Sequence, residues 1–357
     1  MILAVSKKLR LTLLSLTLII SLNSCADKTQ IKEHIIQGPT MGTQYKLVIK
    51  SNESVDLDMI SNGVDSILID IDNQMSTYNP KSEISRFNDP YYEIDEAMKL
   101  SDIFSNVIQK SFYYNKLSDG MFDITVYPLY ELWGFQNKDN DSIAEPSEER
   151  INEILGFVGM DKLRVTRDLL SETHFLNKDS TKISIDVSAI AKGYAVDLIS
   201  SYIQDKGYLN YFIDIGGEIK VSSTIDRHWD IGIQEPSPER FGNAIEMVRL
   251  SNNSIATSGN YANFIKYVNS DAKRTHIINP KTGYPLEIKD GMIASVSIIA
   301  PLCVDADALA TTLMLLNKEE GLKLIESVKD TEAYIVYFED GCLYTEQSLG
   351  FKKYIYK

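Results

Sequence analysis

Predicted strands and helices do not alternate along this chain, and this order restricts the folds that it can adopt. Apolar residues recur at helical spacing over Leu57–Met75 and over Ser188–Asp205. The second half instead contains short β-rich runs around one predicted helix at 305–316, namely 211–215, 229–234, 245–250, 293–300 and 333–338. A doubly wound parallel sheet requires strict alternation of strands and helices. We therefore predict a mixed α+β fold with mostly antiparallel sheets and packed helices.

The first half adds one strand and two helices to this prediction. Residues Gln44–Ile49 alternate in polarity, and we expect this strand to begin the folded domain. Helices are predicted at 95–114 and, after the helix-start sequence Pro146–Glu149, at 151–158. The acidic segment 137–145 is predicted to be a surface loop.

The N-terminal segment has the pattern of an export signal. Basic residues at positions 7, 8 and 10 precede an apolar run at 11–22, which is shorter than the ~20 residues that span a membrane. The run ends in Leu22–Cys25, which resembles a bacterial lipobox. We predict a lipoprotein signal peptide over 1–24 and acylation of Cys25, which would tether the protein to a bacterial membrane, facing the periplasm or cell exterior. An ordinary signal peptide with an incidental cysteine is the alternative.

One folded domain is predicted to follow the anchor. Residues 26–36 are mostly polar and are predicted to form a tether after Cys25, with the domain extending over 37–357, since no internal repeat or linker divides it. Cys303 and Cys342 are the remaining cysteines. An exported protein can pair such residues, but two free thiols are an equally good interpretation.

The charge balance excludes one class of partner. The chain has 36 Lys and Arg against 50 Asp and Glu, a formal net charge of −14. General nucleic-acid binders present a basic face, so we expect no nucleic-acid partner. A small basic pocket for a phosphate remains compatible with this composition.

Two motifs contain residue types that suit a metal ion and a phosphate. Asp307 and Thr311 are four residues apart on a predicted helix, so they share a face, and their hard oxygens suit Mg²⁺. Asp186 is flanked by apolar residues and needs a partner, and Lys192 can serve as a point charge for a phosphate. Taken alone, each pair has an ordinary alternative. These are a helix N-cap and a buried hydroxyl for the first, and an ion pair at a strand-to-helix junction for the second.

Other candidate positions come from single residues and short turns. His276 can act as a general base near neutral pH, and a turn with proline and glycine follows it. Gly216–Gly217 would allow a tight turn or close approach of the backbone to a ligand. Met41, Tyr78 and Phe122 could line a flat aromatic ligand, although such residues are more often part of the core. The chain contains no Gly-x-Ser-x-Gly elbow, P-loop or cysteine-rich metal cluster.

Together these motifs resemble the FAD:protein FMN transferase family, the ApbE-like lipoproteins. The resemblance covers about 37–324 and rests on eight motifs in order, which begin at Met41, Met75, Asp119, Ala191, Ile215, Thr257, His276 and Ala306. It implies a T-fold-like α+β catalytic unit that binds FAD and Mg²⁺, transfers FMN to a threonine or serine of a target protein and releases AMP. The implied targets are flavin-carrying subunits of membrane redox pumps with a Ser/Thr-Gly-Ala-Ser/Thr-like motif. A Mg²⁺-dependent FAD pyrophosphatase and a non-catalytic FAD-binding lipoprotein are the alternative functions.

The resemblance also implies roles for particular residues. The positions that match flavin contacts are Met41, Tyr78, Met121, Phe122, Asp123, Asp186, Lys192, His276, Ile277 and Ile278. The positions that match the metal site are the side chains of Asp307 and Thr311 and the carbonyls of Ala189 and Ala310. His276 matches an essential histidine, and we assign it as the base. Asn279 replaces a common aspartate beside His276 and could alter its orientation or charge. Ser188 and Met121 replace a common glycine and alanine.

Overall fold

The structure is a computed structural model that describes residues 31–92, 94–136, 143–224, 227–236, 243–260 and 264–356. Within these ranges the helices are α1 (Leu57–Met75), α2 (Glu83–Asn88), α3 (Asp102–Leu117), α4 (Tyr127–Leu132), α5 (Glu148–Leu155), α6 (Ser188–Asp205), α7 (Cys303–Met314) and α8 (Lys318–Glu326). The first eight strands are β1 (Lys32–Thr40), β2 (Thr43–Ser51), β3 (Met98–Lys99), β4 (Leu163–Arg167), β5 (His174–Lys178), β6 (Tyr211–Ile215), β7 (Glu218–Ser222) and β8 (Trp229–Gln234). The remaining strands are β9 (Ala244–Leu250), β10 (Ser254–Gly259), β11 (Phe264–Lys266), β12 (Lys273–Ile278), β13 (Pro285–Glu287), β14 (Ile293–Ala300), β15 (Glu332–Glu339) and β16 (Cys342–Gln347).

An eight-stranded sheet organises these elements. Its strand order is β1-β2-β6-β7-β10-β14-β15-β16, and every neighbouring pair is antiparallel. Two three-stranded sheets, β11-β12-β13 and β3-β5-β4, and the β8-β9 ribbon lie around it. The predicted mixed α+β fold with mostly antiparallel sheets is therefore confirmed.

The central sheet is covered on both faces. On one face α6 and α7 pack against the sheet, and α1 packs against α6, in a cluster that includes Ile213 and Val296. On the other face Ile231 and Val248 of the β8-β9 ribbon join a second cluster with Ile299. Since successive residues of a strand point to opposite faces, β14 is buried along its whole length. This explains why its sequence is a continuous apolar and small-residue run.

Several element boundaries differ from those predicted. β1 begins at Lys32 and pairs with β2 along its whole length. Residues 32–36 therefore belong to the sheet rather than to a polar tether, and β1, not β2, is the first described strand. Half-buried residues at positions 34 and 36 alternate with exposed ones, as an edge strand permits. Helix α3 begins at Asp102 and not at 95, because β3 intervenes and Ser101 caps the helix by accepting from the Phe104 amide.

The helix predictions at 151–158 and 305–316 are shifted from α5 and α7 by a few residues. Residues 137–142 of the predicted surface loop, the signal peptide and Cys25 lie outside the described residues. Cys303 is buried and Cys342 is exposed, and both are free thiols. Among the described residues, no helix has the length and apolar character needed to cross a membrane.

Candidate active site

A cavity of about 1160 Å³ opens where α1, α6 and the β1-β2 turn approach one another. Four of the predicted site residues line it, which are Met41, Tyr78, Asp186 and Lys192. Ser76 and Thr77, from the motif that begins at Met75, also line it, whereas the sequence interpretation did not single out Asp72 or Gln136. No periodicity marks these side chains, since they become neighbours only through the end of α1 and the residues after α4.

The β1-β2 turn presents Met41 to this cavity. Met41 has a φ of 46° and Gly42 a φ of 73°, so both central residues of this two-residue hairpin are left-handed. This matches a type I′ turn, which suits the twist of the strands but disfavours a residue with a side chain at the first position. The methionine is also 36% exposed. A strained and accessible apolar side chain at a cavity rim suits contact with a ligand.

Asp186 is held at the cavity by backbone contacts on either side. Its amide donates to the carbonyl of Ile124 at 2.8 Å, and its Oδ1 accepts from the Ser188 amide at 2.6 Å at the start of α6. The preceding residue, Ile185, exchanges two hydrogen bonds of 2.8 Å with the side chain of Asn88. Burial raises the pKa of Asp186, against these hydrogen bonds. The residue is thus fixed in position by its neighbours, among them a side chain 97 positions away from Ile185 in the chain.

Lys192 forms an ion pair with a carboxylate that sequence reasoning missed. Its Nζ lies 2.5 Å from Oε1 of Glu218, whose side chain is only 5% exposed. Burial alone would lower the pKa of Lys192, but the charges of Glu218 and Asp307 outweigh it and raise the pKa. Lys192 is therefore in an ion pair, with Glu218 and not with Asp186, and it also lines the cavity. Glu218 directly follows Gly216–Gly217, so only the glycines of that motif drew notice.

Asp307 lies in the second turn of α7 and is 3% exposed. Its Oδ2 accepts a hydrogen bond of 2.9 Å from the Gly193 amide, which joins α7 to α6. Burial raises the pKa of Asp307, and the charge of Lys192 partly opposes this. One turn later, Oγ1 of Thr311 lies 3.0 Å from Oγ of Ser258. Asp307 is not the helix N-cap, since α7 begins at Cys303.

The oxygen atoms beside Asp307 fit a hard divalent cation. Asp307 and Glu218 contribute two buried carboxylates against the single ammonium of Lys192, and Oε2 of Glu218 has no hydrogen-bond partner in the described part of the chain. Ionised, this group holds a surplus negative charge, which suits Mg²⁺. No three His, Cys, Asp or Glu side chains of the described ranges cluster as metal ligands. A cation here would therefore also need hydroxyl or carbonyl oxygens, such as Thr311 and the carbonyls of α6 and α7.

His276 lies on β12, outside the residues that line the cavity. Its ring is half-buried, and the next two residues are buried, Ile277 in the main core and Ile278 in a cluster around Trp133. Oδ1 of Asn279 accepts from the amides of the two residues that follow Pro280, at 2.9 and 3.2 Å. This side-chain oxygen therefore shapes the turn after β12.

The predicted segment Met121–Asp123 forms a turn after α3. Phe122 is buried in the main core, edge-on to Tyr114 at 5.9 Å between ring centroids. Oδ1 of Asp123 accepts from the Thr125 amide at 2.7 Å, and Oδ2 accepts from the Met160 amide at 3.2 Å. Burial raises the pKa of Asp123, although these hydrogen bonds oppose the shift.

An ion pair joins this turn to the turn that follows β12. Lys281 Nζ lies 2.7 Å from Oδ2 of Asp119. The predicted sites at 121–123 and 276–278 therefore belong to neighbouring parts of the fold.

The chain resembles known proteins over nearly its whole length. The model of the ApbE family matches residues 41–335. The chain is 33% identical over 310 residues to the FAD:protein FMN transferase of Vibrio cholerae, covering 86% of this chain and 88% of that protein. It is 31% identical over 352 residues to the protein of the same name from Haemophilus influenzae, covering 97% and 98%.

A solved structure supports the same relationship. The structure of the flavin transferase ApbE from Vibrio cholerae superimposes with a TM-score of 0.78 at 31% identity, covering 91% of this chain and 100% of that one. The family match includes the cavity and both helices of the candidate metal site.

Proposed function

The chain belongs to the ApbE family and is an enzyme, and we propose that it transfers the FMN part of FAD to a threonine or serine hydroxyl of a target protein, with release of AMP. The observation that carries this proposal is the arrangement of Met41, Tyr78, Asp186 and Lys192 around one cavity. Lys192 also contacts the buried carboxylate of Glu218, and the charge of Asp307 acts on its pKa as well. A cavity of about 1160 Å³ has room for a dinucleotide.

Residues at the rim and at the floor of the cavity would bind different parts of FAD. Met41 and the 80% exposed ring of Tyr78 are apolar surfaces that suit the flat flavin ring. The ammonium of Lys192 would attract the pyrophosphate as a point charge. Tyr78 would lose solvent contact on binding, so FAD binding should change the tyrosine environment.

Asp307 and Thr311 would hold Mg²⁺, together with the carbonyls of Ala189 and Ala310. Bound there, Mg²⁺ would neutralise charge on the pyrophosphate and orient it. His276 would accept the proton of the acceptor hydroxyl on a ring nitrogen. The oxygen of that hydroxyl then bonds to the FMN phosphorus as the bond to the AMP phosphate breaks.

AMP release from FAD by the purified domain tests the activity, with and without an acceptor protein that carries the Ser/Thr-Gly-Ala-Ser/Thr-like motif. Transfer predicts acceptor-dependent AMP and flavin fluorescence that stays on the denatured acceptor. AMP at the same rate without acceptor would indicate a pyrophosphatase. FAD that stays bound and intact in both samples would indicate a carrier.

Two substitutions test the residue roles. D307A should lower transfer by about a hundredfold or more, because a metal ion contributes several kcal/mol to charge stabilisation. H276A should lower it by about 10²–10⁴-fold, as expected for a general base, while the circular dichroism spectrum stays unchanged. Full transfer by D307A would remove the metal assignment, and full transfer by H276A would remove only the base.

We further propose that acylation of Cys25 anchors the enzyme to a membrane, where flavin-carrying subunits of redox pumps are its targets. The lipobox-like sequence supports this. In cells, Cys25→Ser should move the protein from the membrane fraction to the soluble fraction and abolish labelling by a fatty-acid analogue. Membrane recovery that does not change in the variant would contradict the anchor.

A further inference from the structure

Glu218 is a buried carboxylate to which the proposed reaction gives no role. It is the first residue of β7, directly after the turn at Gly216–Gly217, both of which have positive φ values of 65° and 107°. The turn fixes where β7 begins and therefore fixes the backbone position of Glu218. Its Oε1 lies 2.5 Å from Nζ of Lys192, and its Oε2 is buried without a hydrogen-bond partner among the described residues.

Lys192 is surrounded by acidic groups on several elements. The charges of Glu218 on β7 and Asp307 on α7 both raise the pKa of Lys192. The charge of Lys192 in turn opposes the rise that burial causes in the pKa of Asp214 on β6. Asp214 is otherwise occupied, since its Oδ1 accepts from the Gly217 amide at 2.8 Å. The structure thus pairs Lys192 with Glu218 rather than with Asp307 or Asp214.

Asp307 is a possible second partner for the same ammonium. Gly193, the residue next to Lys192, donates its amide to Oδ2 of Asp307 at 2.9 Å. The backbone of Lys192 is therefore anchored beside Asp307, while its Nζ is directed to Glu218. A lysine ammonium and a divalent cation compete for one carboxylate, because each neutralises it.

We propose that Glu218 is a positioning residue that holds the Lys192 ammonium away from Asp307 and so keeps Asp307 available to a divalent cation. This inference rests on the proposed function, since it takes Asp307 as a metal ligand. Without Glu218, Lys192 would turn to the nearest remaining buried carboxylate. Removal of Glu218 should therefore weaken cation binding although Glu218 itself is not a ligand.

Mn²⁺ binding to the folded domain, followed by electron paramagnetic resonance in the absence of FAD, tests this without any turnover. E218Q keeps the shape of the side chain and loses its charge, and we expect the Kd for Mn²⁺ to rise by at least about tenfold, as for other residues that orient metal ligands. K192M should bind Mn²⁺ at least as tightly as the wild type. In the K192M background, E218Q should raise the Kd by a clearly smaller factor than in the wild-type background, because the competing ammonium is gone.

Three further proteins keep the result interpretable. E218D retains the charge on a shorter side chain and should also raise the Kd, which serves if E218Q does not fold. E332Q is the matched control, because Glu332 on β15 is also a partly buried partner of a lysine, Lys353, at 3.4 Å; its Kd should equal that of the wild type. D307A should abolish binding.

Each outcome identifies which statement fails. A Kd for E218Q within about twofold of the wild type would overturn the positioning role, and so would an equal rise in the K192M background, where Glu218 would be acting through its own charge. Undiminished Mn²⁺ binding by D307A, or no binding by the wild type, would instead overturn the metal assignment in the proposed function.

Discussion

Gly193 lies within α6 at a point where two groups of α7 occupy the space that a side chain would fill. A Cβ at this position would lie 2.4 Å from the carbonyl oxygen of Cys303 and 2.8 Å from Cβ of Asp307. In an exposed helix, alanine is more stable than glycine by about 0.5–1 kcal/mol. Here the contact with α7 reverses that preference, because backbone cannot move aside as a flexible side chain can.

We therefore expect G193A to lower the free energy of unfolding by about 1–3 kcal/mol, as overpacking does in other cores. Urea unfolding of the two proteins measures the difference. G321A is a useful control, because its Cβ would meet a flexible Leu313 side chain, 3.2 Å from Cγ, and should cost less. A G193A protein as stable as the wild type would show that α6 and α7 can separate at little cost.

At this scale the sequence predicted residues whose chemistry is visible in their type. Asp186 is predictable because a charge in apolar surroundings needs a partner, and Lys192 because a lysine can serve as a point charge for a phosphate. The partner of Glu218 and the packing role of Gly193, which belongs to the motif that begins at Ala191, were not predicted because both depend on contacts across the fold. Glu218 meets a residue 26 positions away, and Gly193 meets one 114 positions away. No local spacing records such contacts.

Among the elements, α7 has an N-terminus that another helix caps. Leu302, at the cap position, makes no side-chain hydrogen bond. Asp197 of α6 replaces it, with Oδ1 accepting from the Cys303 amide at 3.1 Å and Oδ2 from the Val304 amide at 2.9 Å. Lys220 of β7 lies 2.9 Å from Oδ1 of the same carboxylate. This carboxylate therefore sets how α7, with its candidate metal ligands, sits against α6.

D197N should lower the free energy of unfolding by about 2–4 kcal/mol, because it removes a charge from a helix N-terminus and leaves Lys220, whose side chain is only 12% exposed, without its carboxylate partner. Thermal and urea unfolding measure this. D305N is the matched control on α7, since Asp305 pairs with Lys110 near the surface, with side chains 24% and 32% exposed. Its loss should stay below about 1 kcal/mol. Equal losses in the two variants would contradict a special role for the cap.

Element type was predictable where the pattern was long, and element ends were not. The apolar spacing of α1 gave its full extent, because Ile60, Val64 and Leu68 all face the core. The start of α3 was placed several residues early, since β3 is only two residues long and carries no periodic signal. Residues 32–36 of the predicted tether belong to strand β1, because an edge strand can be polar on its open side.

For the whole molecule, the free energy of unfolding should depend on pH through a buried lysine. Lys178 is 2% exposed and donates to the carbonyls of Phe87 and Ile183, at 2.5 and 3.0 Å. Burial lowers its pKa to about 8, although Asp89 partly opposes the shift. The unfolded chain, with an ordinary lysine pKa near 10.5, binds more protons between these two values. Stability contributed by this group therefore rises with pH from about 8 to about 10.5 and is constant below that window.

Urea unfolding of the wild type and of K178M between pH 7 and pH 10 tests this. The stability of the wild type relative to K178M should increase as the pH rises above about 8, since only the wild type carries the titrating group. Other groups titrate in both proteins and cancel. A difference that stays constant over this range would mean that Lys178 keeps its ordinary pKa.

The fold class followed from the order of elements, but the order of strands in the sheet did not. Apolar alternation gives each strand two faces and no partner. Pairing of β2 with β6 and of β7 with β10 depends on how helices cover one face and the β8-β9 ribbon the other. The cavity depends on that arrangement. Its residues could therefore be predicted one by one from the sequence, but their grouping around one cavity could not.

The central sheet joins parts of the chain that leave the ribosome at very different times. Tyr45 pairs with Ile215, and Lys192, which lines the cavity at Met41, is followed by Gly193, whose amide donates to Asp307 of α7. Such distant contacts make folding slow, because the entropy of closing long loops is lost before the contacts form. A chain interrupted before α7 would have the β1-β2 hairpin and no Asp307. With Asp307 as the metal ligand that we propose, a nascent chain could cleave FAD only once α7, almost the last helix, is in place.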